Sequence, residues 1–140
     1  MWGSGMGLRP NFDSLYGLEV SFVDTPGLVR GDVLVTDSVR DSSGDVHPGI
    51  LAAMAVSLAS FGTSYAMSDS GRIGVAVSVD MYVCEPISTA SFVGEGTVRF
   101  RGVEEWIWDV DIADDTGRLC AMGRVTVAVQ QDEEFSPTAK

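Results

Sequence analysis

The sequence predicts an α+β domain in which five or six strands surround one long helix. Most of the chain alternates apolar and polar residues with the two-residue period of a strand, whereas one alanine-rich segment repeats its apolar residues at helical spacing. The length of 140 residues is enough for one hydrophobic core. We therefore treat residues 1–140 as a single domain, with an ordered core at 11–129 and a polar tail at 130–140.

Along the chain, residues 11–16 suit a short leading helix, and residues 18–39 suit two strands joined by a turn. The long helix is expected over residues 48–67, because Pro48 fits its first turn and Gly71 follows its end. Its apolar residues recur at three-to-four spacing and are Ile50, Leu51, Met54, Leu58, Phe61 and Tyr65. This periodicity predicts a buried amphipathic helix.

The remaining strands are predicted at residues 73–83, 92–101, 105–112 and 125–129. A hairpin turn is predicted at 114–117, and apolar Leu119 and Ala121 follow it before the last strand. Residues 73–83 alternate strictly, which predicts one apolar face and leaves Asp80 on the opposite face. The predicted apolar face consists of Ile73, Val75, Val77, Val79, Met81 and Val83. Trp106 and Trp108 share one face of their strand, and we expect both in the core.

The charge of the chain excludes two classes of partner. Nine Lys and Arg residues against twenty Asp and Glu residues give a formal net charge of -11 at pH 7. Such a surface repels the phosphates of nucleic acids and of anionic lipids. We therefore expect no nucleic-acid partner and no membrane partner. No run of eighteen apolar residues and no signal-like start is present, which favours a cytoplasmic protein.

Cysteine and histidine are too few to build a metal site. Cys84 and Cys120 lie in apolar, strand-like runs, where a free thiol behaves as a small hydrophobic side chain. His47 is the only imidazole, so no zinc-type ligand spacing can be assembled. We expect no bound metal.

Four short segments, in their order and spacing, resemble one family. Residues 15–19 are similar to an opening Leu-Gly-Leu-Glu, and residues 41–49 to a loop that commonly reads Asn-x-x-Gly-x-Val-His-Gly-Gly. Pro86 and Gly102 have the spacing of a Pro and a Gly that bracket a strand, and residues 115–121 fit Asp-x-Gly-Arg-Leu-x-Ala. Over nearly its whole length, the sequence thus resembles the hotdog-fold acyl-CoA thioesterases.

The resemblance implies a hotdog fold, in which a curved antiparallel sheet wraps the long helix. It also implies hydrolysis of an acyl-CoA or acyl-carrier-protein thioester by a homodimer or homotetramer. No cofactor is expected beyond the CoA or phosphopantetheine that the substrate itself carries. Such hydrolysis needs a carboxylate that attacks the carbonyl or activates water, and donors that hold the developing oxyanion.

The N-terminus of the long helix is where those donors would lie, because its first amides have no partner inside the helix. The resemblance aligns Gly49 with the oxyanion glycine, whereas Pro48 has no N–H and departs from the usual glycine. Without the resemblance, Pro48 and Gly49 would be read simply as a helix start. His47 would orient the loop or contact the substrate, or else be structural and bond a neighbouring carbonyl.

The catalytic carboxylate is where the sequence departs from the family. In the phenylacetate-pathway branch the acid lies nine residues after the loop histidine, and that position is Val56. In the 4-hydroxybenzoyl-CoA thioesterase branch the acid lies six residues before the histidine, and that position is Asp41. We therefore predict Asp41 as nucleophile or general base and Val56 as part of the acyl pocket. Asp41 and Gly44 also fit an ordinary type I turn, and Asp45 fits a solvated loop acid.

Further candidates rest on position alone. Ser60 lies one turn beyond Val56 and could bond the attacking water, while Ser57 and Ser64 fit packing against the sheet. Asp80 would reach a neighbouring subunit's site or remain a surface acid. The partners available for a CoA phosphate, unless they are surface charge, are Arg72, Arg99, Arg101 and Arg124.

A second function stays open for the same fold. Val56 at the usual acid position is also consistent with a hotdog module that binds an acyl thioester or another apolar ligand without turning it over. Hydratase chemistry is less supported, because the histidine-plus-aspartate arrangement expected for it on the helix is missing.

Overall fold

The computed structural model describes residues 11–22 and 25–133. The elements in chain order are α1 (Phe12–Leu15), β1 (Glu19–Phe22), β2 (Leu28–Leu34), α2 (Pro48–Ala66), β3 (Arg72–Val83), β4 (Ser91–Arg101), β5 (Glu105–Asp114) and β6 (Leu119–Gln131). The predicted α+β class, with six strands and one long helix, is confirmed. β6 runs to Gln131, so the first two residues of the predicted tail pair with β3.

The six strands form one antiparallel sheet in the order β1-β2-β4-β5-β6-β3. The chain leaves β2 near one edge, passes through α2, and returns as β3 at the other edge. α2 therefore crosses the sheet and contacts five strands, β2 to β6. A sheet that touches one helix from five strands must curve around it, which is the predicted hotdog arrangement.

The core lies between α2 and the inner face of the sheet. Trp108 on β5 is fully buried, and its Nε1 donates a hydrogen bond of 2.8 Å to Thr63 Oγ1 on α2. The Thr63 hydroxyl in turn donates a hydrogen bond of 2.9 Å to the carbonyl oxygen of Ala59. The indole N–H is thus satisfied inside an apolar core. The prediction that Trp106 and Trp108 are core residues is confirmed, because both are buried.

Two glycines let α2 approach the sheet closely. Gly31 on β2 and Gly94 on β4 are directly opposite each other. A Cβ at Gly31 would come within 2.9 Å of Leu58, and a Cβ at Gly94 within 2.8 Å of the Met54 sulfur. Both helix side chains are fully buried, so neither has free space to move into. The missing side chains therefore set the distance between helix and sheet.

β3 does not carry the single apolar face that strict alternation predicts. Residues directly opposite in an antiparallel pair share a face, and before a β-bulge Ala76 is opposite buried Val127. Beyond the bulge, Val79 is opposite buried Val125. The extra residue therefore moves the inward positions from even to odd numbers. The outer face of β3 carries Ile73, Val75, Asp80 and Tyr82.

α2 is long and apolar enough to cross a bilayer by length and composition, with 19 residues and a mean hydropathy of 1.4. Its position in the fold gives a simpler reason for that composition. One face packs on five strands and contains eight buried residues. The apolar character of α2 is that of a core helix.

The β5–β6 turn is organised by a buried carboxylate. Asp114 is 4% exposed, and its Oδ1 accepts from Thr116 Oγ1 at 2.6 Å, from Thr116 N at 3.0 Å and from Arg118 N at 3.1 Å. These bonds, led by the Thr116 hydroxyl, hold the pKa of Asp114 below its usual range. The ionised side chain thus stabilises the turn that the sequence predicts at 114–117.

This carboxylate should make folding stability sensitive to acid. Because its folded pKa is lowered, Asp114 contributes stability above the unfolded pKa, and that stability is lost as pH falls below about 4. Asp114→Asn should lower the free energy of unfolding by about 1–3 kcal/mol at pH 7, since one acceptor oxygen becomes a donor in a buried site. Urea unfolding at pH 7 and at pH 3.5 would measure both values. An equal loss at the two pH values would contradict the assignment.

Candidate active site

A cavity of about 200 Å³ opens at the N-terminus of α2. Its walls are the loop at 41–46, the helix residues Pro48 and Leu51, and the segment at 83–87 that leaves β3. A hydrogen bond of 2.9 Å from Val46 N to the carbonyl oxygen of Ile87 joins the loop to that segment. The two walls are therefore held together as one structure.

Asp41 lies in this cavity with one oxygen fixed by its own loop. Its Oδ1 accepts from Ser43 Oγ at 2.6 Å, from Ser43 N at 2.9 Å and from Asp45 N at 3.3 Å. The bond from the Ser43 hydroxyl is the largest of the effects that hold the pKa of Asp41 below its usual range. Asp41 thus belongs to the predicted turn, in which Gly44 has φ 92°, and it also lines the cavity. Asp41 is an ionised, oriented carboxylate at neutral pH.

The backbone N–H groups in the first turn of α2 are already hydrogen-bonded within the chain. His47 is the N-cap, and its Nδ1 accepts the N–H of Gly49 at 2.8 Å. Pro48, at the first helical position, has no N–H to offer. The N–H of Ile50 donates to the carbonyl oxygen of His47 at 2.9 Å. The Gly49 amide is therefore already engaged by the His47 side chain and is not a free donor.

Val56 and Ser60 lie further along α2 and do not line the cavity. Val56 is eight residues beyond Pro48, about 12 Å along the helix axis. Ser60 Oγ accepts the N–H of Ala76 on β3 at 3.2 Å, and it keeps its own proton to donate. Val56 is half-buried on the same helix face, one turn earlier.

The other two helix serines bind neighbouring elements. Ser64 is buried and accepts the N–H of Gly74 at 2.8 Å, which fits its predicted packing role. Ser57 instead donates to Asp13 on α1 at 2.7 Å, and Tyr16 donates to the same oxygen at 2.9 Å. Burial, then the charge of Asp13, raises the pKa of Tyr16. Ser57 thus fixes α1 on α2.

The proposed phosphate-binding arginines lie away from the cavity within one chain. Arg99 forms an ion pair with Asp109 at 3.3 Å on the outer face of the sheet, where Arg124 also binds Asp109 at 2.8 Å. Arg101 lies over the ring of Trp106 at 4.9 Å. Arg72 begins β3 beyond the C-terminal end of α2, a helix of 19 residues and about 28 Å, whereas the cavity lies at its N-terminal end.

Asp80 is exposed on the outer face of β3, opposite Arg124 on β6. It lies outside the lining of the cavity in its own chain. β3 is the last strand of the sheet, so Asp80 is close to an edge that a second copy could approach.

Sequence reasoning did not identify Glu85 and Arg118. Glu85 lines the cavity, and its Oε1 forms an ion pair with Arg118 Nη1 at 3.5 Å. Arg118 Nη2 also donates to the carbonyl oxygen of Pro86 at 3.1 Å. The only signal was the arginine of the terminal hairpin pattern, because the pair is separated by 33 residues in the chain.

Comparisons with known proteins agree with this fold. No family model matches the sequence. The Mycobacterium tuberculosis protein named "Putative esterase Rv1847" is 31% identical over 116 residues, which are 81% of this chain and 82% of that protein. Its solved structure has a TM-score of 0.80 at 29% identity, covering 86% of this chain and 96% of that one.

Two more relatives carry thioesterase names. The "Proofreading thioesterase EntH" of Klebsiella pneumoniae is 26% identical over 103 residues, 74% of each chain. The structure of thioesterase HI1161 from Haemophilus influenzae has a TM-score of 0.80 at 21% identity and covers 88% of this chain and 85% of that one. The chain therefore belongs to the hotdog-fold thioesterase family, a class of hydrolytic enzymes. The sequence-based predictions of family, fold and enzyme class are confirmed.

Proposed function

We propose that the protein hydrolyses an acyl thioester at the cavity beside the N-terminus of α2, with Asp41 as nucleophile or general base. The observation that supports this most is the orientation of Asp41, whose Oδ1 is fixed by three hydrogen bonds in a wall of that cavity. Its lowered pKa keeps the carboxylate charged at neutral pH. A fixed, ionised carboxylate next to a helix N-terminus is what thioester hydrolysis requires.

The reaction can be written from these residues. The thioester carbonyl replaces His47 Nδ1 on the Gly49 amide, and the positive end of the helix dipole favours the oxyanion that develops. Asp41 attacks the carbonyl carbon, or takes a proton from a water that does so, and the carbon–sulfur bond breaks. When Asp41 itself attacks, a water molecule then hydrolyses the acyl group from its carboxylate. By either route the thiolate receives a proton, and the products are the free acid and the thiol.

Substrate and location follow as parts of the proposal. The acyl chain would run along α2 toward Val56, and Ser60 would meet it one turn later. The thiol would be CoA or the phosphopantetheine of a carrier protein, and no other cofactor is proposed. Since Arg72 and Arg99 lie away from the cavity of their own chain, a phosphate contact from either would come from a second copy. The acidic, lysine-poor chain would act in the cytoplasm.

A second candidate function is binding without turnover. Two observations favour it: the Gly49 amide is occupied by His47, and Pro48 supplies no N–H beside it. With Val56 at the usual acid position, the α2 side of the site lacks both a free donor and a carboxylate. In that case acyl thioesters would bind and remain intact.

One assay separates hydrolysis from binding. The purified protein is incubated with acetyl-CoA, palmitoyl-CoA and benzoyl-CoA, and free CoA is quantified chromatographically, because exposed Cys84 would react with a thiol reagent. We expect release of CoA from at least one substrate above a heat-inactivated control. No release from any of them, together with a rise in Tm on adding palmitoyl-CoA, would replace hydrolysis by binding.

The assembly is proposed to be a homodimer formed through β3, which a homotetramer would contain as well. Among the described residues, β3 pairs with β6 along one edge and with no strand along the other. Ser64 and Ser60 occupy the N–H groups of Gly74 and Ala76, which leaves residues 77–83 for a partner strand. Several side chains of that segment are exposed and apolar, namely Val77, Val79, Tyr82 and Val83. A second copy would cover this edge, and Asp80 of one copy would then lie close to the site of the other.

Val77→Lys should weaken this dimer at least tenfold, because Val77 is 59% exposed on the segment that the partner strand would cover, and each copy would then bury a charge there. Light scattering coupled to size exclusion, over a dilution series, measures the dissociation constant. Val103→Lys is the matched control, since Val103 is 81% exposed on the connection between β4 and β5. If both variants dissociate alike, or neither does, β3 is not the interface.

A further inference from the structure

We propose that Glu85 takes the proton from the water that completes thioester hydrolysis, and that Arg118 positions Glu85 for this step. The inference rests on the proposed function, since it assigns a second task in the same cavity. Asp41 and Glu85 lie on the two walls that the Val46 to Ile87 hydrogen bond joins. Asp45 lines the loop wall as well, so the cavity holds three carboxylates, of which Asp41 and Glu85 lie on opposite walls.

The two carboxylates differ in how much they are engaged. Asp41 has three hydrogen bonds on Oδ1, and a carboxylate stabilised in this way is a weaker proton acceptor than an unbonded one. Glu85 has one long ion pair with Arg118, and its side chain is 50% exposed. Among the described residues, its second oxygen has no hydrogen-bond partner, so it can accept from water. The less engaged Glu85 is the better proton acceptor, whereas the fixed orientation of Asp41 is what suits it for attack.

Glu85 is held in place from its backbone and from its side chain. The N–H groups of Cys84 and Glu85 both donate to the carbonyl oxygen of Cys120 on β6, at 2.8 and 3.1 Å. Arg118 binds the Pro86 carbonyl and the Glu85 carboxylate, and its Nε lies 3.3 Å from buried Asp114. The guanidinium thus connects a buried acid to the cavity wall, which limits the positions that Glu85 can adopt.

The reaction has two steps, acylation of Asp41 and hydrolysis of the acyl group. Attack of Asp41 on the thioester carbonyl breaks the carbon–sulfur bond and leaves an acyl group on the Asp41 carboxylate. Water then attacks that anhydride while Glu85 accepts one of its protons, which restores the Asp41 carboxylate and releases the acid. Glu85 then gives this proton to solvent, from which the thiolate released in the first step takes one. No oxidant, reductant or further reactant is needed.

The test compares Glu85→Gln with Asp41→Asn on the most active substrate among acetyl-CoA, palmitoyl-CoA and benzoyl-CoA. Rapid mixing and acid quenching give CoA release against time, and intact mass shows any acyl group on the protein. For Glu85→Gln we expect one CoA per site in a first phase, an acylated protein, and steady-state turnover about 100-fold or more below the unmodified protein. Asp41→Asn should show neither the first phase nor the acylated protein.

Controls separate this inference from the proposed function. Glu104→Gln makes the same chemical change on an exposed connection and should keep full turnover. Arg118→Met should keep the first phase and slow the second, while Arg118→Lys should recover part of the rate. Full turnover in Glu85→Gln, or loss of its first phase, overturns the role of Glu85. Retained activity in Asp41→Asn, or no hydrolysis by the unmodified protein, overturns the proposed function itself.

Discussion

Replacing Trp108 with alanine should lower the free energy of unfolding by about 3–5 kcal/mol. Trp108 is among the largest fully buried side chains and fills the space between β5 and α2. A Cβ at Gly62 would come within 2.5 Å of its ring, which shows how closely the helix packs on it. The variant would leave a cavity that neither the glycine nor the paired strands can fill. It would also leave Thr63 Oγ1 without its indole donor.

Urea unfolding followed by far-UV circular dichroism measures this loss. Trp108→Phe separates its two causes, because the smaller ring keeps part of the packing and lacks the N–H. Its loss should fall between zero and that of the alanine variant. Val103→Ala, at an exposed connection, should change stability by less than about 0.5 kcal/mol. A Trp108→Ala variant as stable as Val103→Ala would mean that the helix does not pack on β5 as the structure shows.

Local pattern was sufficient to predict most of the fold. The strand carrying Trp108 alternates because one face is buried, and α2 begins at Pro48 because a residue without an N–H fits that position. The pattern failed at β3, where an extra residue near Ala76 exchanges the faces. A bulge depends on pairing with β6, and a single strand's alternation does not contain that information.

The site was predictable only in part for a similar reason. Asp41 and Pro48 are close in the sequence, so the loop resemblance brought them together before the structure did. Glu85 and Arg118 meet through the order of strands, with β3 beside β6 and the hairpin turn above. Arg99 was a candidate because its charge is visible in the sequence. The sequence does not show that Arg99 forms an ion pair with Asp109 on the outer face of the sheet.

Asp41→Asn should lower kcat for thioester hydrolysis by about 10²–10⁴-fold. The amide oxygen of asparagine can still accept the hydrogen bonds from Ser43 and Asp45, so the loop should keep its conformation. What is lost is the charge and the second carboxylate oxygen. Steady-state CoA release measures the effect, and an unchanged Tm would show that the loss is chemical.

The Ser43→Ala variant is a more specific test of Asp41, because it alters the environment of the carboxylate without removing it. The Ser43 hydroxyl contributes most to the lowered pKa of Asp41, so its loss should raise that pKa toward the usual range. The acidic limb of the pH–rate profile, where activity falls as Asp41 is protonated, should then move to higher pH. Ser38→Ala removes a hydroxyl whose hydrogen bond among the described residues is to Thr36, and should leave the limb in place. A limb that does not move in Ser43→Ala would show that Asp41 is not the group whose ionisation controls the reaction.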